Sequence, residues 1–288
     1  MQKTLLYIFL LCLLAACKKD ETSPEPLVVY TIAVDGNQVT FNNETTGATS
    51  YKWDFGDGSE STDVSPVHTY KGKGKYVPTL YATSAGGVTA EGSTVIRISK
   101  TSPVKLNDNS LADWDTISQN MITAGPAGGV FKKAKFDYDG QSVFFYVEMT
   151  SKLADANIFD IYIDADNNPG TGLLTGLFTD GAYDVLLEGQ LLLKPAVAAI
   201  PMAMYYHTGP QTGFTFDAQS GTDFFSIGTI SEANGVLRFE GKLDRSKIKG
   251  FTGTAIRLGM VATSNDWSTQ LGTIPDDGAP SFLLNMPE

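Results

Sequence analysis

The sequence predicts an all-β protein made of two successive sandwiches, the second larger, antiparallel and jelly-roll-like. Three observations predict it. Apolar and polar residues alternate with a period of two in several runs, which turns one face of each strand toward a core. Turn formers are abundant, with 29 Gly and 13 Pro in 288 residues, and they cluster between those runs. No long stretch repeats its apolar residues at helical spacing; only Asp244 to Ile248 suggests a single helical turn. At 42% hydrophobic and 18% charged, the chain has the material for one large or two medium cores.

The first element is a leader. Lys3 precedes an apolar run from Leu5 to Leu14, too short to span a bilayer but suited to the core of a signal peptide. The run ends Leu14-Ala15-Ala16-Cys17, which resembles the lipobox of bacterial lipoproteins. That resemblance implies a signal peptide over 1–16, cleavage before Cys17, and lipidation of Cys17. Cys12 would leave with the leader and Cys17 would carry acyl chains, so no thiol remains for a disulfide. Each buried CH₂ of an acyl chain contributes about 0.8 kcal/mol, so several chains make a lasting anchor. Lys18-Lys19-Asp20-Glu21 resembles a surface-export tag of polysaccharide-degrading Gram-negative bacteria, which implies an outer-membrane, lipid-anchored protein at the cell surface. The tether over 17–26 closes with Thr22-Ser23-Pro24-Glu25-Pro26, polar and extended.

Charge narrows the partners. The formal net charge is -11, so nothing here would neutralise nucleic-acid phosphates. His68 and His207 are the two histidines, which excludes a multi-histidine metal centre.

The next element covers 27–100. Strand-like runs flank Trp53-Asp54-Phe55-Gly56-Asp57-Gly58-Ser59, in which Trp53 and Phe55 share a strand face and Asp-Gly marks a tight turn. Pro66-Val67-His68-Thr69-Tyr70 and the run from Gly74 to Gly87 follow. These residues resemble a PKD domain, which implies an immunoglobulin-like sandwich. Pro78 departs from the pattern and removes an amide donor, so its strand is expected at an edge or with a bulge. Tyr81 adds an aromatic where the family carries a small polar residue. Trp53 and Tyr70 are read as core and corner packing, Asp54 and Asp57 as turn carboxylates, and His68 as a packed, hydrogen-bonded histidine. The domain is expected to act as a spacer.

Lys100-Thr101-Ser102-Pro103 forms a polar joint before the last element, 104–288, which carries 22 Asp and Glu against 12 Lys and Arg. Val143, Phe145, Val147 and Met149 share one strand face; so do Phe159, Ile161 and Ile163, with Asp160, Tyr162 and Asp164 opposite. Leu237, Phe239, Gly241 and Leu243 alternate with charged residues, and Ile256, Leu258, Met260 and Ala262 complete the set. This pattern argues for antiparallel sheets with one buried face. The run from Leu191 to Met204 is broken by Lys194, Pro195 and Pro201. The ordered markers Leu106 to Trp114, Phe159 to Gly172, Gly181 to Gly189, Phe239 to Ser246 and Asn265-Asp266-Trp267 resemble the family 9 carbohydrate-binding-module-like domains, related to the DOMON sandwiches.

Two kinds of site follow. Asp164, Asp166 and Asn168 have the alternate spacing of oxygen ligands, and with Asp184 they could converge on Ca²⁺, the one cofactor the sequence suggests. Pro169 and Thr175 rule out an EF-hand loop, and a strand-ending turn capped by the carboxylates is the structural alternative. Sugars are held by aromatic faces with a few polar groups around them. Trp267 beside Asn265 is the best local match to the family's sugar contacts. Tyr205 and Tyr206 next to His207 form a second candidate cluster, and Trp114 a third, each weighed against core packing.

No Gly-x-Ser-x-Gly, Walker or His-Glu-x-x-His motif appears. The resulting expectation is a non-enzymatic, lipid-anchored surface protein that binds polysaccharide or oligosaccharide for an uptake system in the outer membrane. The alternative is an adhesion lipoprotein contacting another outer-membrane protein. A glycoside hydrolase, or a DOMON-type haem protein using His207, Met202 or Met204, ranks third.

Overall fold

The computed structural model describes residues 24–251 and 253–287. The expected signal peptide, Cys17 and the Lys18 to Glu21 tag lie outside the described residues. Two compact units are present, one taking residues up to 34 with 38–68 and 76–96, the other 97–288 with 35–37 and 69–75.

The first region contains β1 (Tyr30–Asp35), β2 (Gln38–Asn43), β3 (Ser50–Asp54), β4 (Glu60–Ser61), β5 (Val67–Thr69), β6 (Gly74–Tyr76), β7 (Thr79–Thr83), β8 (Thr89–Ser93) and β9 (Ile96–Ile98). They form sheets in the orders β1-β2-β5 and β4-β3-β7-β8, with β6 paired to β9. Trp53 and Phe41 are fully buried, and their rings meet at 4.9 Å. Asp54 accepts the Gly56 amide at 2.8 Å and Asp57 the Ser59 amide at 2.9 Å, so both acids serve the turn. His68 stacks on Phe55 at 4.1 Å and reaches Asp57 at 2.8 Å, which fits the packed role. Pro78 behaves differently from expectation. It stands just ahead of β7, which is a central strand between β3 and β8. The strand begins one residue later, so no ladder donor is lost.

Gly56 is required by its surroundings. Its φ is +75°, and a Cβ there would lie 2.9 Å from the Val77 amide nitrogen. Left-handed backbone costs an L-residue roughly 1–2 kcal/mol, and the contact adds to it. A Gly56→Ala variant is therefore expected to lower the stability of this unit by about 2–3 kcal/mol. Scanning calorimetry of the full chain checks it.

The second unit contains β10 (Met121–Thr123), β11 (Phe131–Tyr138), β12 (Ser142–Thr150), β13 (Ile158–Asp164), β14 (Val185–Gly189), β15 (Ala203–His207), β16 (Phe216–Gln219), β17 (Phe225–Ala233), β18 (Val236–Asp244), β19 (Ala255–Thr263), β20 (Gln270–Ile274) and β21 (Phe282–Asn285). One sheet has the order β10-β11-β12-β18-β17. The other runs β16-β15-β14-β13-β19-β20, with β21 also on β19. All the ladders are antiparallel. The four alternating sets read from the sequence pack into one core between the sheets. Gly241 belongs there because a Cβ would come within 2.4 Å of the Phe145 ring.

Two expectations change. Four strands, β12, β13, β14 and β19, are buried on two faces, not one: Tyr162, Leu186 and Val261 lie under Leu173, Phe178 and Tyr183, while Phe144 and Tyr146 lie under Val104 and Trp114. Residues 245–247 form a hydrogen-bonded turn, Lys247 amide to Asp244 carbonyl at 3.2 Å, instead of a helical turn. Among the described residues the helical elements are two 3-10 turns, Ala112–Thr116 and Leu153–Asp155. The Leu191 to Met204 stretch is an irregular connection whose apolar ends, Leu191, Met202 and Met204, enter the core before β15 continues.

The sheet edges are short or irregular. β10 has three residues, β16 has four and carries the exposed Asp217, and β17 breaks register between Ile227 and Ile230.

Candidate functional site

The sequence candidates separate into two ends of β13. Ile158, at its start, pairs with Thr263 beside the 264–269 hairpin tip, and Asp164, at its end, pairs with Arg257. Seven residues at the usual strand rise put the two ends roughly 20 Å apart. The Trp267 tip and the aspartate cluster therefore cannot contact one sugar ring together.

At the far end, β13 and β14 are adjacent, so Asp164 and Asp184 meet where the ladder closes; the Asp184 amide donates to Ile163 at 3.0 Å. Asp164, Asp166 and Asp184 each offer an oxygen within 4.8 Å of the others. Asp164 is only 1% exposed. Burial and the neighbouring Asp184 charge push its carboxyl up to about 6. Burial, then Asp166, raises Asp184. Asn168 sits at the bend: its amide donates to Asp164 at 3.2 Å and Asp166 at 2.9 Å, and its side-chain oxygen accepts from Gly170 at 3.0 Å. An all-oxygen, acidic donor set of this kind suits a hard cation such as Ca²⁺ and not Zn²⁺.

The loop is held from outside. Arg257 donates to Asn167 at 3.0 Å, and the Gln211 amide donates to the carbonyls of Pro169 and Thr171 at 3.0 and 3.1 Å. A cleft of about 200 Å³ opens beside it, lined by Asp166, Thr171, Asp184, Tyr206, His207 and Lys249. The Tyr206 hydroxyl accepts the Lys249 amide at 2.9 Å and so ties one wall in place. His207 Nε2 meets the Gly213 carbonyl at 2.9 Å.

Tyr205 and Tyr206 do not form a pair. Adjacent residues of a strand face opposite ways, and here Tyr205 joins the outer cluster while Tyr206 packs toward the inter-sheet core. The same geometry separates Met204 in the core from His207 outside, and Met202 is also buried in the core, so these three cannot ligate one haem. Trp114 is removed from the sugar candidates. It is 1% exposed, and its indole N–H donates to the buried Glu240 at 2.8 Å.

Trp267 is presented to solvent at 46% exposure, with φ at +63°. Asp266 fixes the turn by accepting from the Ser264 and Ser268 hydroxyls at 2.6 and 2.8 Å. These bonds hold its carboxyl down at about 2. Asn265 spends a side-chain N–H on the Asp155 carbonyl at 3.2 Å. Sequence reading missed Phe214 and Phe216, which lie near His207; an isolated Phe in a Gly-flanked turn carries no local signal.

Residues 23–98 match the PKD domain model, and this region is a PKD domain. The chain is 33% identical over 95 residues to a microbial collagenase of Vibrio alginolyticus, covering 31% of this chain and 11% of that protein. It is 25% identical over 185 residues to collagenase ColA of Clostridium perfringens (strain 13 / Type A), covering 60% of this chain. The chain thus spans 11% and 15% of the length of these two relatives. Among solved structures, the PKD1 domain of Vibrio anguillarum Epp is similar at 28% identity, over 26% of this chain and 95% of that one, with a TM-score of 0.26. A structure of carbohydrate-binding modules from the beta-sandwich super family is similar at 13% identity, over 77% of this chain and 92% of that one, with a TM-score of 0.28.

Proposed function

We propose that this chain is a non-enzymatic, lipid-anchored surface protein whose second sandwich binds glycan for a polysaccharide-uptake system. The observation that carries this reading is the cleft at the end of β13. There, the residues Asp166, Asp184, Thr171, Tyr206, His207 and Lys249 line one concave surface. Aromatic faces cover the C–H side of a sugar, and the polar groups read its hydroxyls. Asp164, Asp166, Asp184 and Asn168 would hold Ca²⁺ and thereby order the same cleft; a bound cation offsets three closely spaced carboxylates. Trp267 and Asn265 form a second, separate contact.

The test is native gel electrophoresis through immobilised polysaccharides, with Ca²⁺ and with chelator. Retarded migration by one glycan, weakened by chelator, is the expected result. Unretarded migration through every glycan refutes the reading and favours an adhesion role.

The cation has its own test. Calcium at 100 times its dissociation constant stabilises by about 2.7 kcal/mol, a shift of several degrees in Tm. Asp184→Asn is expected to abolish the shift. Without calcium, that variant is expected to melt higher than the parent, since it removes a carboxylate whose ionised form burial disfavours. An unchanged calcium response overturns the ligand assignment.

A further inference from the structure

The outer face of the larger sheet carries a strip that shares only His207 with the cleft. Opposite residues of an antiparallel pair point to the same side, and residues two apart along a strand do too. His207 on β15 faces Phe216 on β16, with the rings 5.3 Å apart. Phe214, two residues before Phe216, continues the row at 5.1 Å and is 65% exposed. Tyr205 lies on the same face two residues before His207. Next inward, Glu188 on β14 stands directly across from Asp160 on β13.

Those two carboxylates are oddly placed for structural residues. Both are half-buried, both have their ionisation disfavoured by burial, and among the described residues neither forms an ion pair. Asp160 Oδ1 is buried and has no hydrogen-bond donor. A buried acceptor left without a donor costs about 1–3 kcal/mol, which a ligand that brings a donor would recover. The strip thus offers aromatic faces at one end and acceptors without donors at the other. It crosses three strand spacings, about 14 Å, and shifts four residues along the strands, about 13 Å, so it is longer than one sugar ring.

We propose that Phe214, Phe216, His207, Tyr205, Glu188 and Asp160 form a track for a chain-internal stretch of an uncharged polysaccharide. The aromatic end stacks the rings, and the two carboxylates accept hydroxyl hydrogens. The acidic polar end repels uronates and sulfates, so anionic glycans are excluded. His207 connects the two surfaces, because it also lines the cleft and anchors the Gly213 carbonyl just before Phe214. This inference rests on the glycan-binding reading and extends its surface from the cleft along the sheet.

The experiment uses the full chain without its lipid in retention gels containing xylan, laminarin, soluble starch, pectin or alginate. The parent is compared with Phe214→Ala, Glu188→Ala and Asp184→Asn. The proposal expects one neutral glycan to retard the parent, and pectin and alginate to leave it unretarded. Phe214→Ala and Glu188→Ala should each weaken retention at least tenfold. Melting temperatures within a few degrees of the parent show that those variants remain folded. Isothermal titration should give tighter binding to a hexasaccharide of the retarding glycan than to its monosaccharide. Retention lost in Asp184→Asn but unchanged in Phe214→Ala and Glu188→Ala overturns the track and leaves the cleft reading standing. Retention by pectin or alginate overturns the claim of a neutral ligand. Unretarded parent protein in every gel overturns both readings.

Discussion

Trp114→Ala is expected to lower the melting temperature of the second sandwich by about 10 °C or more. The indole is buried against Tyr146 at 5.8 Å between ring centres. Removing a buried Trp side chain costs about 3–5 kcal/mol. The loss also leaves the Glu240 Oε2 acceptor, now served by the indole at 2.8 Å, without a donor inside the protein. That adds on the order of 1–3 kcal/mol. The other Glu240 oxygen accepts the Thr229 amide at 3.0 Å and is unaffected. Each kcal/mol is worth about 2–4 °C in a domain of this size. The control is the same substitution at Trp267, which is 46% exposed, where the change should stay within about 0.5 kcal/mol. Trp267→Gly should even gain stability, because glycine takes positive φ freely. Thermal unfolding followed by near-ultraviolet circular dichroism checks all three. Equal melting of the Trp114 and Trp267 variants would contradict the burial argument.

Asp160→Asn is expected to stabilise the protein at pH 8 and to flatten its pH dependence. Burial, then the Glu188 charge, pushes the Asp160 carboxyl up to about 7 from 3.8. Its neighbours are Glu188 on β14, Tyr162 on its own strand and Val261 on β19, and none supplies a positive charge. The native state therefore binds more protons than the unfolded chain between about pH 4 and 7. Stability falls as pH rises through that window and is level above it. At 1.36 kcal/mol per pKa unit the loss is on the order of 4 kcal/mol at most, shared with Glu188. Asparagine stays neutral at every pH, and its amide can donate to Glu188. Urea unfolding at pH 5 and pH 8 measures the effect. A parent protein equally stable at both values would refute it.

The strands were legible because local alternation decides them. Phe159, Ile161 and Ile163 point one way in any strand, and a core must cover them. Asp184 was named beside Asp164 from the sequence, but the pairing of β13 with β14 that brings them together spans the 165–184 connection and was not legible. Nor was the place of Trp114. Its indole donates to Glu240, 126 residues away, and nothing near the Asp113-Trp114 dipeptide encodes that partner. The covering of Tyr162 and Leu186 by the 173–183 segment is non-local in the same way. The Tyr205 and Tyr206 pair failed for a simpler reason: neighbours in sequence were read as neighbours in space, while a strand sends them to opposite faces. Pro78 was misplaced by one residue, which is enough to move it from inside a ladder to the position before it.

The sheet margins have a colloidal consequence. A long, flat, regular edge is a template on which a second molecule can add its own strand. Here β10 offers three residues, β16 four with a carboxylate at Asp217, and β17 loses register midway. None gives an incoming chain an uninterrupted ladder of amides and carbonyls. At these three edges, second sandwiches held close together can therefore crowd without zipping edge to edge.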